Sequence, residues 1–214
     1  AVDKNEVLIS SCVILMDEIL GAQGKLAFEK NIAKKFKSEI SSHFGVSSID
    51  AIITSILLNA SWNLKDKAEA EECLKQLKNG YDEAQEYSVK ALYSFYYGSN
   101  LRFWKRYQEC IDPLKFSMKF FETIAAMRES YGIINLQVLA ETYDSCKKFE
   151  EANKTFVRLL NILMEIKSTD LRKKEQVKSE LVQHFDLWGR KDEAKQCALP
   201  GATYETLSEI LARN

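Results

Sequence analysis

Near its middle the chain reads Cys146-Lys147-Lys148-Phe149-Glu150-Glu151-Ala152, and a similar seven-residue pattern recurs in steps of 42 residues over 62–68, 104–110 and 188–194. The other three copies begin with tryptophan, at Trp62, Trp104 and Trp188. Every copy ends on a small residue, at Ala68, Cys110, Ala152 and Ala194. A fixed period of this length indicates units that stack on their neighbours because none can bury its apolar face alone.

The segments between these copies have apolar residues at helical spacing. The periodicity predicts helices over roughly 5–20, 26–43, 48–62, 66–78, 82–103, 106–129, 133–146, 149–167 and 170–187, a short helix from Lys191 and a terminal helix after Thr203. Gly45 and Asn79-Gly80 are predicted to end helices, and Ser47 with Asp50 to begin one. The expected fold class is therefore all-α, a stack of antiparallel helix hairpins closed by the terminal helix.

Composition and charge narrow the class of protein. With 30 basic and 31 acidic residues the net charge is -1, so the overall electrostatic potential does not favour binding to nucleic acid or to an anionic membrane. The five cysteines are odd in number and include no C-x-x-C pair, which is typical of proteins in a reducing intracellular compartment. No apolar run reaches the roughly 18 residues of a membrane span, and no signal peptide is recognisable. We expect an intracellular protein, cytoplasmic or nuclear, and the start at Ala1 is consistent with a piece of a longer chain.

A second, more specific pattern lies over residues 136–156. These residues fit W-x2-L-G-x2-Y…A-x3-F as Leu136-x2-Leu139-Ala140-x2-Tyr143 and Ala152-x3-Phe156. The chain thus resembles the tetratricopeptide-repeat (TPR) family over roughly 48–198, with a longer period than the usual 34 residues or so. Long repeats of this kind are similar to those of kinesin light chain and of some bacterial peptide receptors, although the residues match neither in particular.

The resemblance implies a right-handed α-solenoid of about five hairpins plus a C-terminal capping helix. It implies one domain over 1–214, with a weak repeat over 3–43, clearer repeats over 48–80, 82–130, 132–167 and 169–198, and the capping helix over 203–213. In this family the first helix of each hairpin lines a concave face that binds extended or helical segments of partner proteins.

Carried over residue by residue, the expected groove positions are Ile53, Leu57, Leu92, Phe95, Ser99, Arg102, Ile134, Gln137, Glu141, Asp144, Gln183 and Asp186. The face runs from apolar at its N-terminal end to acidic at its C-terminal end. The expected partner is therefore a protein or peptide with apolar and basic residues. The lysine and asparagine set with which chaperone-binding relatives clamp a terminal carboxylate is not at these positions, which disfavours a heat-shock chaperone tail.

Three other functions fit the sequence less well. A structural arm of a large assembly, similar to a proteasome-lid subunit, is the alternative, although no winged-helix module follows the repeats. Nucleic-acid binding is disfavoured, because the aromatics among Arg102, Phe103, Trp104, Lys105, Arg106 and Tyr107 fall partly on expected core positions. An enzyme is disfavoured too: His43 and His184 have no metal-ligand spacing and are expected to be structural or solvent-facing, and Gly21–Lys25 lacks the phosphate-loop pattern. We predict no catalytic residue, metal or cofactor.

Overall fold

The computed structural model describes residues 4–44, 46–124, 130–166 and 171–213. Within these ranges the chain is all-α, as predicted, and the helices pack in neighbouring pairs. Gly45, 125–129 and 167–170, where several predicted boundaries fall, lie outside the described residues, as does the side chain of His43. The helices are α1 (Lys4–Ala22), α2 (Leu26–Phe44), α3 (Ser48–Asn63), α4 (Lys67–Glu83), α5 (Tyr87–Asn100), α6 (Tyr107–Thr123), α7 (Ser130–Ser145), α8 (Phe149–Glu165), α9 (Leu171–Leu187), α10 (Lys191–Ala198) and α11 (Tyr204–Leu211), with a 3-10 turn over Leu101–Trp104.

One turn geometry recurs between consecutive helices at five places in the described residues. Its key residue has a left-handed backbone, with φ of 66°, 63°, 57°, 59° and 81° at Gly24, Lys65, Lys105, Lys147 and Gly189. In four of the five turns, the backbone N–H of the residue after the left-handed one donates to the carbonyl five residues earlier, as from Lys148 to Tyr143 at 2.9 Å. This bond is the mark of a Schellman helix end, which a left-handed residue permits. The turns recur at intervals of 41, 40, 42 and 42 residues.

These turns correct the register of the first sequence copy. Five residues after the left-handed residue, four of these turns are followed by a small side chain that is at most 3% exposed: Ala70, Cys110, Ala152 and Ala194. The prediction of Ala68 is wrong by two residues, because the interval between its turn and the next is 40 rather than 42 residues and Ala68 is exposed. In the first hairpin the same position holds Glu29, which is 2% exposed. A carboxyl group there occupies space that a methyl or thiol group fills elsewhere.

Gly80 lies inside a helix, which the sequence did not indicate. The predicted helix end at Asn79-Gly80 is wrong, since α4 continues to Glu83. A Cβ at Gly80 would come within 2.2–2.5 Å of three atoms of the Tyr93 ring. Glycine is therefore needed for the close approach of α4 and α5 and not for a turn. Ser47, by contrast, caps α3 as predicted, accepting a hydrogen bond from the Asp50 N–H at 3.2 Å.

The helices form two compact units, of which unit 1 ends at Trp104 and unit 2 begins at Lys105. In unit 1, α3 packs against α1, α2, α4 and α5 and buries 11 of its 16 residues. In unit 2, α11 packs against α8 with Leu207 and Leu211 buried, as predicted for a capping helix. No helix in the described parts of the chain is long and apolar enough to cross a membrane. The assignment of 1–214 to one domain stays a prediction.

Candidate partner-binding surface

In unit 1 the predicted apolar part of the groove is mostly interior. Ile53, Leu57 and Phe95 are 0%, 3% and 5% exposed. Ile53 and Leu57 are covered because α3 packs against four helices, and Phe95 lies on α5, which packs against α3 and α4. The sequence of α3 carried a signal for this that the groove assignment did not use, because a helix that is apolar on nearly all sides is expected to be buried on nearly all sides. These three positions are corrected from surface to core.

The other predicted positions of unit 1 remain partly accessible. Leu92, Ser99 and Arg102 are half-buried. The Arg102 Nε donates to the Ser99 carbonyl at 3.2 Å, which holds the guanidinium side chain along the end of α5. The neighbouring aromatics are packed on the protein itself, since the Trp62 ring centroid lies 5.4 Å from that of Phe103 and 4.7 Å from that of Trp104. These rings serve the hairpin stack, which leaves little reason to assign them to stacking on bases.

In unit 2 two first helices, α7 and α9, lie side by side and are joined by polar bridges. Gln137 on α7 is 5% exposed, and its Nε2 lies 3.3 Å from both carboxylate oxygens of Glu180 on α9. The Gln176 Nε2 donates to the same carboxylate at 2.9 Å. Gln137 therefore connects the two helices rather than pointing out of a groove.

Asp144 and His184 form the second bridge. The Asp144 Oδ1 lies 2.6 Å from the His184 Nδ1, and the residues are 7% and 0% exposed. Because an ionised carboxylate can only accept, the imidazole Nδ1–H is the donor. The Asp144 side chain thus belongs to the interior between α7 and α9, and its prediction as an acidic surface residue is wrong. His184 is a structural residue, as expected.

An aspartate–histidine pair invites comparison with a catalytic dyad, but among the described residues this one has no reacting partner. The His184 Nε2, which would activate a nucleophile in a catalytic triad, is buried and has no hydrogen-bond partner within the described structure. Aromatic rings surround the imidazole instead, with centroids 5.3 Å (Phe156), 5.0 Å (Phe185) and 5.4 Å (Trp188) away. No group of three or more metal-ligating side chains occurs in the parts of the chain that are described.

Five of the accessible residues of these two helices define what we call the α7–α9 face: Ile134, Glu141, Glu180, Gln183 and Asp186. Ile134 is 42% exposed, Gln183 and Asp186 are exposed, and Glu141 and Glu180 are partly so. Three of the five side chains are carboxylates and none is basic. Glu180 and Gln176 were missed by the sequence reasoning, whereas Gln137 was among the predicted positions. The repeat spacing offered a signal, since Gln137 and Glu180 are 43 residues apart, about one period.

The solved structures that are similar to this chain in fold include two of TPR-like repeats. One contains nearly identical TPR-like repeats assigned to a kinesin light chain of Podosopora anserina, with a TM-score of 0.67, 13% identity and coverage of 95% of this chain and 97% of that one. The other is a glutamine-to-methionine variant of the same repeats, with a TM-score of 0.66, 14% identity and coverage of 95% and 96%. No protein-family model matches the chain, and no curated protein sequence matches it either. The repeated turns, the small residues at the helix crossings and these two structures together identify a TPR-like fold of helical hairpins.

Proposed function

We propose that this chain is a protein-interaction module whose α7–α9 face binds a segment of a partner protein. The observation that carries the proposal is the pairing of α7 and α9 by two polar bridges, the part-buried Gln137–Glu180 and the buried Asp144–His184. These bridges hold two parallel rows of side chains in fixed positions. A preorganised surface of this kind lowers the entropic cost of binding an extended or helical segment.

The chemistry of the face indicates the chemistry of the partner. Glu141, Glu180 and Asp186 make it acidic, and Ile134 offers an exposed apolar contact near the start of α7. A segment with Lys or Arg and at least one apolar side chain is complementary to this pattern. Rim charges of this kind mainly set association rate and specificity, so we expect binding to weaken as salt is added. Leu92, Ser99 and Arg102 offer a further first-helix surface on unit 1.

The test is selection of displayed peptides on the whole chain. Peptides enriched on the wild type are expected to be rich in Lys and Arg. They should lose at least about tenfold in affinity on a Glu141→Lys, Asp186→Lys variant, because two attractive charges become repulsive. A matched control, Asp192→Lys with Glu209→Lys, makes the same change of charge at exposed positions of α10 and α11. Asp144→Lys is unsuitable, since it would bury an unpaired cation.

The two variants separate the competing functions. Equal loss on both would show that only net charge matters, and unchanged binding on the first would remove the α7–α9 face from consideration. A chain that enriches no peptide at all would favour the alternative of a structural arm within a larger assembly.

A further inference from the structure

A cavity of about 330 Å³, lined by both polar and apolar groups, opens on unit 1 and includes none of the predicted groove positions. It lies where the C-terminal parts of α2 and α4 meet the start of α3 and one side of α5. Its volume is at the lower end for small-molecule sites and suits a single side chain or a ligand of that size. The polar residues that line it are Lys37, Asp50, Gln76, Asn79, Glu83 and Tyr93.

The inner wall of the cavity is a fixed network around Asp50. The Tyr93 hydroxyl donates to the Asp50 Oδ2 at 2.7 Å, and the Lys37 Nζ lies 3.3 Å from the Oδ1. Lys37 also donates to the Thr54 hydroxyl. Burial, and then the negative charge of Asp50, raise the pKa of Tyr93, so the phenol keeps its proton and stays a donor. Among the described residues that line the cavity Lys37 is the only cation, and the protein itself already engages it.

Gly80 makes this arrangement possible. Since a Cβ there would collide with the Tyr93 ring, the absence of a side chain lets the ring lie against the α4 backbone with its hydroxyl directed at Asp50. The ring and Val46, which is 46% exposed, supply the apolar surface of the cavity.

The outer wall, as far as the described residues form it, carries hydrogen-bond acceptors without cations. Gln76, Asn79 and Glu83 follow one another at three- and four-residue spacing and so share one side of α4. The buried Gln76 Oε1 has no hydrogen-bond partner in the described structure. Among the described residues, Glu83 forms neither an ion pair nor a hydrogen bond through its side chain. Asp50 and Glu83 against Lys37 leave the cavity with a net charge of -1.

Glu83 lies at the end of its helix where a negative charge is unfavourable. It is the last residue of α4, where the carbonyl dipoles already make the helix end negative, so a carboxylate there costs stability. Asp82 beside it is neutralised by Lys78, with 2.5 Å between the Nζ and the Oδ2. A cation in the cavity would neutralise Glu83 and the helix end together.

We propose that this cavity binds a guanidinium group, supplied by an arginine side chain of a partner protein. A guanidinium has five N–H donors in one plane, which suits a wall with several separate acceptors better than the compact ammonium of lysine. Its apolar stem would lie on Val46 and the Tyr93 ring. The site is in unit 1 and does not depend on the α7–α9 face of unit 2.

The test is a titration of the intact chain with ethylguanidinium and, separately, with propylammonium, followed by the amide NMR signals of Asp50, Asn79 and Gly80. We expect saturable shifts of these signals with ethylguanidinium and at least threefold weaker binding of propylammonium. The absence of saturable shifts, or equal affinity for the two cations, would overturn the proposal.

Charge reversal of Glu83 separates binding from folding. Glu83→Lys should weaken ethylguanidinium binding more than tenfold while leaving the unfolding midpoint unchanged or higher, because a cation suits the C-terminal end of α4. Glu71→Lys is the matched control. It makes the same change at an exposed position of the same helix, about 18 Å away along the axis. Retained binding in Glu83→Lys, or equal loss in Glu71→Lys, would contradict the assignment.

A third probe distinguishes the two sources of a guanidinium. The blocked tripeptide acetyl-Gly-Arg-Gly-amide should bind at least as tightly as ethylguanidinium if the natural ligand is a side chain in a polypeptide. Binding of ethylguanidinium without binding of the tripeptide would overturn the partner-protein source and leave a small free guanidinium compound.

Discussion

Replacing Asp144 by alanine should destabilise unit 2 by about 2–3 kcal/mol, the contribution of a buried hydrogen bond to a charged group. The Nδ1 of His184 lies 2.6 Å from the carboxylate and the residue is fully buried, so water cannot take over the lost bond. The imidazole would keep an N–H without a partner in a cage of aromatic rings. Asp144→Asn retains an acceptor of the same shape and should cost less, about 1 kcal/mol, the difference between a charged and a neutral bond.

Trp188 gives a local readout, because its ring centroid is 5.4 Å from that of His184. In a background with Trp62→Phe and Trp104→Phe it is the sole tryptophan. Urea unfolding followed by its fluorescence then gives the free energy of unfolding of unit 2 for each variant.

The matched control is Asp186→Ala, which removes an exposed carboxylate from the same pair of helices and should change stability by less than about 0.5 kcal/mol. A double-mutant cycle of Asp144→Ala with His184→Phe should give a coupling energy above about 1 kcal/mol. If Asp144→Ala costs no more than Asp186→Ala, or the coupling is near zero, the bridge does not stabilise unit 2 and the reasoning fails.

Three further predictions follow from the hairpin structure. Ala152→Leu should cost about 1–3 kcal/mol by overpacking, whereas Ala68→Leu should be nearly neutral; equal unfolding midpoints would refute the corrected register. Burial and the nearby Asp17 carboxyl raise the pKa of Glu29 to about 7 from 4.5. Because the folded protein holds this proton more tightly than the unfolded chain does, the free energy of unfolding should fall as the pH rises from 4.5 to 7, by up to about 1.4 kcal/mol per pH unit. The Glu29→Gln variant should lack this slope. A thiol reagent should label the exposed Cys12 in the native state and should reach the buried Cys73, Cys110 and Cys197 only on unfolding. Burial also raises the pKa of Cys73 and of Cys197 to about 11, and labelling of the three buried thiols in the native state would contradict the packing.

The positions of most helices could be read from the sequence because their causes are local. The helix predicted over 26–43 is observed as Leu26–Phe44, and the helix predicted over 149–167 is observed as Phe149–Glu165. Capping by Ser47 depends on a contact three residues away and was equally readable. The small residue at 152 and the predicted pairing of α3 with α4, α7 with α8 and α9 with α10 are also confirmed, since a repeated pattern reports on repeated packing.

Tertiary structure alone decided which faces of those helices meet solvent. Ile53 and Leu57 are core residues because α3 packs against four helices, and Phe95 is one because α5 packs against α3 and α4. Asp144 is turned inward because His184, 40 residues later, supplies its partner. A helical period shows which residues share a face but not how many neighbours cover it. The proposed guanidinium cavity has the same origin, since Lys37, Asp50, Glu83 and Tyr93 come from four helices and only the packing of those helices brings their charges and hydrogen-bonding groups together.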